Sequence, residues 1–153
     1  MALSVGDTAP DFTLRDQVGT EYTLSTFQGD KPVVLVFVPF AFTGVCQGEF
    51  CELSENLESF NRAGVQLFGI TCDRQFSLKA WADQQGFTFP LLSDGWPHGA
   101  VSTAYECFNV DLGCAMRRTV VIGTDGTIRE IFDSGGLGQP RQLDQYTAAI
   151  ATL

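Results

Sequence analysis

A cysteine at the end of a short loop carries the clearest chemistry in this sequence. The stretch Pro39-Phe40-Ala41-Phe42-Thr43-Gly44-Val45-Cys46 follows an apolar run at residues 33–38. This pattern predicts a strand, a tight loop and the start of a helix, with Cys46 in the first helical turn. The unpaired N–H groups and the positive dipole end of such a turn favour a thiolate. We therefore predict a nucleophilic sulfur at Cys46, the alternative being a buried, inert cysteine.

The neighbours of Cys46 in the loop favour the nucleophile. Pro39 ends the strand and shapes the loop, Thr43 supplies a hydroxyl three residues before the cysteine, and Gly44 allows close backbone approach. Together these residues describe a pocket that stabilises an anion and has one polar group for a substrate.

Composition restricts the class of protein. The 153 residues predict a single domain, residues 1–153, that can bury roughly 70% of its unfolded surface. With 9 Lys and Arg against 18 Asp and Glu, the net charge of -9 argues against nucleic acid and anionic membranes as partners. No leader pattern and no apolar run of about 18 residues is present, so we expect a cytoplasmic protein. An odd number of cysteines, five, argues against a secreted disulfide framework.

The order of elements predicts an α/β fold. An amphipathic helix is expected from Glu49 through Phe60, because Phe50, Leu53, Leu57 and Phe60 recur at spacings of three and four. It connects the strand at 33–38 to one at 65–70, which makes a parallel βαβ unit.

Further elements surround this unit. Turn residues predict an N-terminal β-hairpin at 11–14 and 21–24 and a second hairpin at 119–123 and 127–132. A helix capped by Asp73 or Ser77 and closed near Gly86, and a terminal helix at about 142–152, complete a central mixed sheet flanked by helices.

The sequence resembles the peroxiredoxins. Pro39, Thr43 and Cys46 stand at the spacing of that family's active-site motif, and the opening residues 6–12, the segment 89–94 and the strand 117–122 also match. Residues 42–49 and 96–102 look most like the alkyl hydroperoxide reductase E subgroup of actinobacteria. The resemblance implies a thioredoxin-like fold and a thiol-dependent peroxidase that needs no cofactor and no metal.

The resemblance also implies roles for particular residues. Cys46 would attack hydrogen peroxide, an organic hydroperoxide or peroxynitrite and become a sulfenic acid. Thr43 would hold the peroxide, and Pro39 would shield the sulfur from water. The family pattern selects Arg117 rather than Arg118 as the guanidinium beside the sulfur, and adjacent residues of a strand point to opposite sides.

Two further residues are candidates for a supporting role. Glu49, one turn after Cys46, resembles an acidic position of the family and would orient an arginine; the alternative is one more solvated glutamate. Trp96 belongs to a loop that would border the pocket, although a tryptophan is more often part of a core.

How the sulfenic acid is resolved stays open. Cys51 has the spacing of the resolving cysteine in the peroxiredoxin Q group, but five residues along a helix separate two side chains by about 7.5 Å of rise and roughly 140° of rotation. A bond between Cys46 and Cys51 therefore requires the helix to unwind. Direct reduction by an external thiol is the alternative, and Cys107 and Cys114 would pair with each other or across a dimer.

The resemblance implies a peroxide substrate, a homodimer and a thiol reductant, either thioredoxin or a glutaredoxin-like protein with a low-molecular-weight thiol. A thiol–disulfide oxidoreductase on the same fold is the first alternative. A redox-sensing or metal-binding module is the second, but the spacings of the cysteines and His98 match no compact zinc pattern.

Overall fold

The computed structural model describes residues 2–134 and 136–153. The strands are β1 (Thr13–Arg15), β2 (Glu21–Thr23), β3 (Val33–Phe37), β4 (Gln66–Thr71), β5 (Leu91–Ser93), β6 (Phe108–Asn109), β7 (Cys114–Ala115), β8 (Arg118–Ile122) and β9 (Ile128–Asp133). The α-helices are α1 (Gly44–Glu55), α2 (Leu57–Arg62), α3 (Gln75–Gln85), α4 (Ala100–Ala104) and α5 (Leu143–Ala151), and a 3₁₀ turn covers Leu24–Phe27.

The centre of the fold is β3, whose five residues are all buried. It pairs in parallel with β4 and antiparallel with β8, and the sheet formed by the described residues has the order β2-β1-β5-β4-β3-β8-β9. An uninterrupted β-branched and apolar strand suits this position because helices cover both faces of the sheet. The predicted βαβ unit and both predicted hairpins are confirmed.

Apolar side chains pack on both faces of the sheet. One cluster joins Val34 and Val36 to the apolar sides of α1, α3 and α5, and its centre is the ring of Phe50 stacked on Trp81 at 5.2 Å. The other cluster joins Leu35 and Phe37 to Tyr105 and the N-terminal hairpin. The ends of the central strands therefore lie between two packed layers. This packing fixes the position of the loop that joins β3 to α1.

Two predicted details of the helices are wrong. The helix expected from Glu49 to Phe60 is two helices, because Asn56 has φ -107 and ψ 11 and its side-chain amide donates to the Glu52 carbonyl at 2.8 Å. Such a bond competes with the helical backbone. Neither Asp73 nor Ser77 caps α3, since Arg74 is the extended residue before the helix, and the Asp73 carboxylate instead accepts from the Ala41 N–H at 2.8 Å.

A short hairpin of β6 and β7 lies apart from the main sheet. Its two strands share the pairs Phe108 with Ala115 and Asn109 with Cys114. Within residues 2–134 and 136–153, no helix is both long and apolar enough to cross a membrane.

Candidate active site

Cys46 is the third residue of α1, and its side chain is completely buried. The helix begins after Thr43, whose extended backbone turns the chain out of the loop and whose carbonyl accepts the Gln47 N–H at 2.9 Å. The backbone N–H groups of the three residues before Gln47, which are residues 44–46 and include Cys46 itself, have no carbonyl four positions back within the helix. Cys46 therefore sits at the positive end of a helix, as the sequence predicted.

The guanidinium of Arg117 is in direct contact with the sulfur. Nη2 of Arg117 donates to Sγ of Cys46 at 3.0 Å, and Nη1 donates to the Glu49 carboxylate at 2.5 Å. The Nε of Arg117 donates to the Leu137 carbonyl at 2.6 Å. With its donors divided among three acceptors, the guanidinium is fixed in orientation, and it presents a charged N–H to the sulfur.

Arg118 points the other way. It forms a two-pronged ion pair with Asp133, at 2.8 and 3.0 Å, and donates to the Tyr105 carbonyl. The arginine selected from the family pattern is therefore the one beside Cys46, and its neighbour in sequence stabilises the sheet edge.

Glu49 connects Arg117 to a second arginine. Arg141 donates to the Glu49 carboxylate from its backbone N–H and Nε, both at 2.8 Å, and from Nη2 at 3.0 Å. Burial alone would raise the pKa of Glu49, but the hydrogen bonds and charge of Arg141, together with the charge of Arg117, outweigh it and hold that pKa below its ordinary value. Glu49 is thus a buried carboxylate that holds two guanidinium groups, not a solvated member of the glutamate series.

Sequence reasoning missed Arg141. Its side chain is fully buried, and it also donates to the Thr119 hydroxyl at 3.3 Å. Arg141 directly precedes Gln142, the N-cap residue of α5. The Gln142 backbone N–H donates to the side-chain oxygen of Gln145 at 3.0 Å. A cation is unfavourable at a helix N-terminus. An arginine just before α5 was therefore a weak indication that a buried acidic side chain lies close to it.

A cavity of about 250 Å³ opens beside the cysteine loop. Thr43 and Arg117 contribute its polar groups, while the rest of its wall is largely apolar: Pro39, Phe40, Gly44, Val45, Leu112, Cys114 and Leu137. The Thr43 hydroxyl donates to the Phe40 carbonyl at 2.9 Å, which leaves its oxygen lone pairs as acceptors. The cavity therefore has a hydroxyl acceptor, a guanidinium donor and an apolar lining within one small volume.

Trp96 lies apart from this cluster. Its side chain is 75% exposed and borders a different cavity together with Arg74 and Phe76. The expected contact of Trp96 with the Cys46 pocket is therefore wrong, because the loop after β5 carries the indole toward the N-terminal hairpin.

Cys51 lies in the same unbroken helix as Cys46. Its thiol is near the Gln85 side-chain oxygen at 3.9 Å, and desolvation, followed by the charge of Glu55, raises its pKa. All five cysteines are free thiols. In the described part of the chain, no group of three or more His, Cys, Asp or Glu side chains is arranged to hold a metal ion.

Comparison with known proteins identifies the family. Residues 5–131 match the AhpC/TSA family. The chain is 48% identical to alkyl hydroperoxide reductase E of Mycobacterium tuberculosis strain H37Rv over 151 residues. This alignment covers 99% of this chain and 98% of that protein. It is also 39% identical over 92 residues to peroxiredoxin Bcp of Escherichia coli K12, across 60% of this chain and 58% of that one.

Solved structures agree with this assignment. Peroxidoxin BcpB of Mycobacterium tuberculosis superposes with a TM-score of 0.84 at 32% identity, over 98% of this chain and 96% of that chain. The reduced 2-Cys peroxiredoxin of Plasmodium vivax superposes with a TM-score of 0.87 at 28% identity, over 96% and 80% of the two chains. These likenesses confirm the predicted thioredoxin-like fold. The chain is a peroxiredoxin of the AhpC/TSA family.

Proposed function

We propose that this chain acts as a single domain, residues 1–153, in which Cys46 is the nucleophile of a thiol-dependent peroxidase. The observation that carries the proposal is the 3.0 Å contact between Arg117 Nη2 and Cys46 Sγ at the N-terminus of α1. A guanidinium and a helix dipole both stabilise a sulfur anion. Glu49 holds the guanidinium from behind, so the charge is already oriented before substrate arrives.

In the proposed reaction, the Cys46 thiolate attacks the terminal oxygen of the peroxide. An S–O bond forms, the O–O bond breaks, and the leaving oxygen takes a proton to become water or an alcohol. The Thr43 oxygen accepts the hydroxyl hydrogen of the peroxide, which aligns the substrate with the sulfur. Arg117 and the Cys46 N–H donate to the leaving oxygen as it gains negative charge. Pro39 forms part of the cavity wall and keeps bulk water from the sulfur.

The cavity lining supports an organic hydroperoxide as one substrate class. Phe40, Leu112 and Leu137 provide apolar wall in the cavity that Thr43 and Arg117 also line. Burying an alkyl group against such side chains is favourable by about 25 cal/mol per Å². Hydrogen peroxide and peroxynitrite are small enough to use the same polar groups without this contribution.

The Cys46 sulfenic acid must then return to a thiol. We propose reduction by an external thiol, supplied by thioredoxin or by a low-molecular-weight thiol with a glutaredoxin-like protein. Resolution by Cys51 is the alternative and needs α1 to unwind between residues 46 and 51, which would separate Phe50 from Trp81. A reducing cytoplasm is the proposed location because each catalytic cycle consumes thiol.

We also propose a homodimer. Phe40 and Leu112, at the edge of the cavity, are 38% and 53% exposed, which gives a second copy apolar surface to cover. Analytical ultracentrifugation at micromolar concentration measures this directly. A dimer that Leu112→Glu dissociates supports the proposed face, and a monomer at every concentration contradicts it.

Steady-state turnover tests the peroxidase assignment. Peroxide loss is followed in the presence of dithiothreitol for the parent protein, for Cys46→Ser and for Cys72→Ser. Cys72 is buried at the end of β4 and outside the proposed mechanism, so its variant is the matched control. We expect catalysis in the parent and in Cys72→Ser and only the background thiol reaction in Cys46→Ser. Equal rates for the parent and Cys46→Ser would overturn the proposal.

A thiol–disulfide oxidoreductase or a redox sensor built on the same fold is the second candidate. Either would use the reactivity of Cys46 without needing a peroxide acceptor at Thr43. Reduction of insulin disulfides by the chain at a rate comparable to its peroxide turnover would favour this second candidate function.

A further inference from the structure

Cys114 lies on the wall of the cavity that holds Thr43 and Arg117. It belongs to β7 of the small hairpin, three residues before Arg117, and its side chain is buried. Cys114 has no role in the proposed reaction of Cys46 with peroxide. Its position nevertheless puts a second free thiol on a cavity that also exposes Arg117, the residue whose guanidinium contacts the Cys46 sulfur.

The charges around Cys114 connect it to Cys46. Burial raises the pKa of the Cys114 thiol, negative charge on Cys46 and on Asp73 raises it further, and Arg117 lowers it. Oxidation of Cys46 to a neutral sulfenic acid removes one of the charges that oppose ionisation of Cys114. The charge of Arg117 remains, so the second thiol becomes more easily ionised once the first has reacted.

The two routes to an internal disulfide differ in what must move. Cys51 shares α1 with Cys46, and a bond between them breaks helical hydrogen bonds and the Phe50 packing. Cys114 is on a different element, a hairpin joined by two residue pairs outside the main sheet. Because only two residue pairs hold β7 in that hairpin, a shift of β7 toward the sulfur breaks fewer backbone hydrogen bonds than unwinding α1 between Cys46 and Cys51.

We propose that Cys114 is the resolving cysteine of this chain, because it lines the same cavity as Thr43 and Arg117, and the Arg117 guanidinium contacts the Cys46 sulfur. The inference rests on the proposed peroxidase function and places an internal disulfide between the sulfenic acid and its reduction by the external thiol. The Cys114 thiolate attacks the Cys46 sulfenic sulfur, an S–S bond forms, the S–O bond breaks, and hydroxide leaves with the thiol proton as water. An external thiol then reduces the disulfide and restores both thiols.

Tryptic mapping distinguishes the possible partners of Cys46. Because Lys31 precedes a proline and resists cleavage, Cys46 and Cys51 both fall in peptide 16–62, whereas Cys107 and Cys114 fall in peptide 80–117. The reduced protein receives one equivalent of hydrogen peroxide without reductant, is alkylated with N-ethylmaleimide, and is digested without reduction. We expect a cross-link between peptides 16–62 and 80–117 in the parent, in Cys51→Ser and in Cys107→Ser, and its loss in Cys114→Ser.

Each other result contradicts the proposal in its own way. A disulfide within peptide 16–62 would assign resolution to Cys51, and a Cys46 sulfenic acid with alkylated Cys114 would show that no internal thiol resolves it. A cross-link found only in a disulfide-bonded dimer on a non-reducing gel would move the step between chains. Unconsumed peroxide with alkylated Cys46 would overturn the peroxidase function itself. A cross-link that persists in Cys51→Ser and in Cys107→Ser joins Cys46 to Cys114 by elimination, so a misfolded Cys114→Ser protein does not prevent the test.

Discussion

The guanidinium of Arg117 lies 3.0 Å from the sulfur of Cys46, and both groups are almost completely buried. The contact joins the start of α1 to the residue that precedes β8, elements 71 positions apart in the chain. Glu49, one helical turn after the cysteine, binds the same guanidinium. The first two turns of α1 thus carry the nucleophile together with the carboxylate that positions its cationic partner.

Removing the guanidinium should slow the reaction with peroxide. For Arg117→Met we expect the rate of Cys46 oxidation to fall about 100-fold or more, because a preorganised donor at the reacting atoms is lost. Arg118→Met is the matched control, since Arg118 faces Asp133 instead of the sulfur. Rapid-quench measurement of peroxide consumption gives both rates. Equal losses in the two variants would show that the Arg117 contact has no specific part in the chemistry.

The Thr43 hydroxyl should be required for peroxide but not for general thiol reactivity. Thr43→Val removes the oxygen that accepts the peroxide hydrogen, and we expect the peroxide rate to fall about 100-fold, with most of it retained in Thr43→Ser. Alkylation of Cys46 by iodoacetamide needs no such acceptor and should change much less. A Thr43→Val protein that reduces peroxide at the parent rate would favour the oxidoreductase alternative.

Glu49 should contribute strongly to stability. Glu49→Gln leaves two buried guanidinium groups without their shared counter-charge, and we expect the free energy of unfolding to fall by about 3–5 kcal/mol. Glu52→Gln, an exposed position on the same helix, should change it by less than about 0.5 kcal/mol. Urea denaturation measures both, and a Glu49→Gln protein as stable as the parent would contradict the buried network.

The same carboxylate predicts a pH dependence. The folded-state pKa of Glu49 lies below its ordinary value of 4.5, so its stabilisation is fully present above pH 4.5 and is lost as the pH falls through the folded-state pKa. The difference in unfolding free energy between the parent and Glu49→Gln should therefore shrink in acid. A difference that stays constant from pH 7 down to pH 3 would show that folding does not lower the pKa of Glu49.

Arg141 should act through Glu49 and not through the substrate. Arg141→Met removes the guanidinium and its two hydrogen bonds to the buried carboxylate, so we expect a stability loss of about 3–5 kcal/mol and a smaller fall in peroxide rate than for Arg117→Met. Arg129→Met, at an exposed ion pair with Asp125, is the control and should change stability by less than about 1 kcal/mol. A rate loss as large as that of Arg117→Met would place Arg141 among the reacting groups.

Trp81 reports whether α1 stays folded during the cycle. Its indole stacks on Phe50 and donates to the Gln47 side chain at 3.3 Å, whereas Trp96 is exposed and can be replaced by Phe. In Trp96→Phe we expect the near-UV circular dichroism of Trp81 to persist after one equivalent of peroxide, because resolution by Cys114 leaves the helix intact. Loss of that signal would indicate the unwinding that a bond between Cys46 and Cys51 requires.

The sequence predicted local geometry better than distant contacts. Pro39, Thr43 and Cys46 lie within eight residues, so their loop and helix turn followed from the residues themselves. The break at Asn56 was missed because the apolar period continues through it, while the side-chain bond to Glu52 that favours it has no periodic signature. Arg141 was missed because it lies 92 residues from Glu49, and only the fold brings them together.

A single turnover without added thiol measures whether Cys46 itself reacts with peroxide. Reduced protein is mixed with one equivalent of hydrogen peroxide in a quenched-flow instrument, and the remaining peroxide is measured against time. We expect the parent to consume one equivalent in a fast phase that is absent from Cys46→Ser and retained in Cys107→Ser. A fast phase of the same rate and amplitude in Cys46→Ser would contradict this expectation.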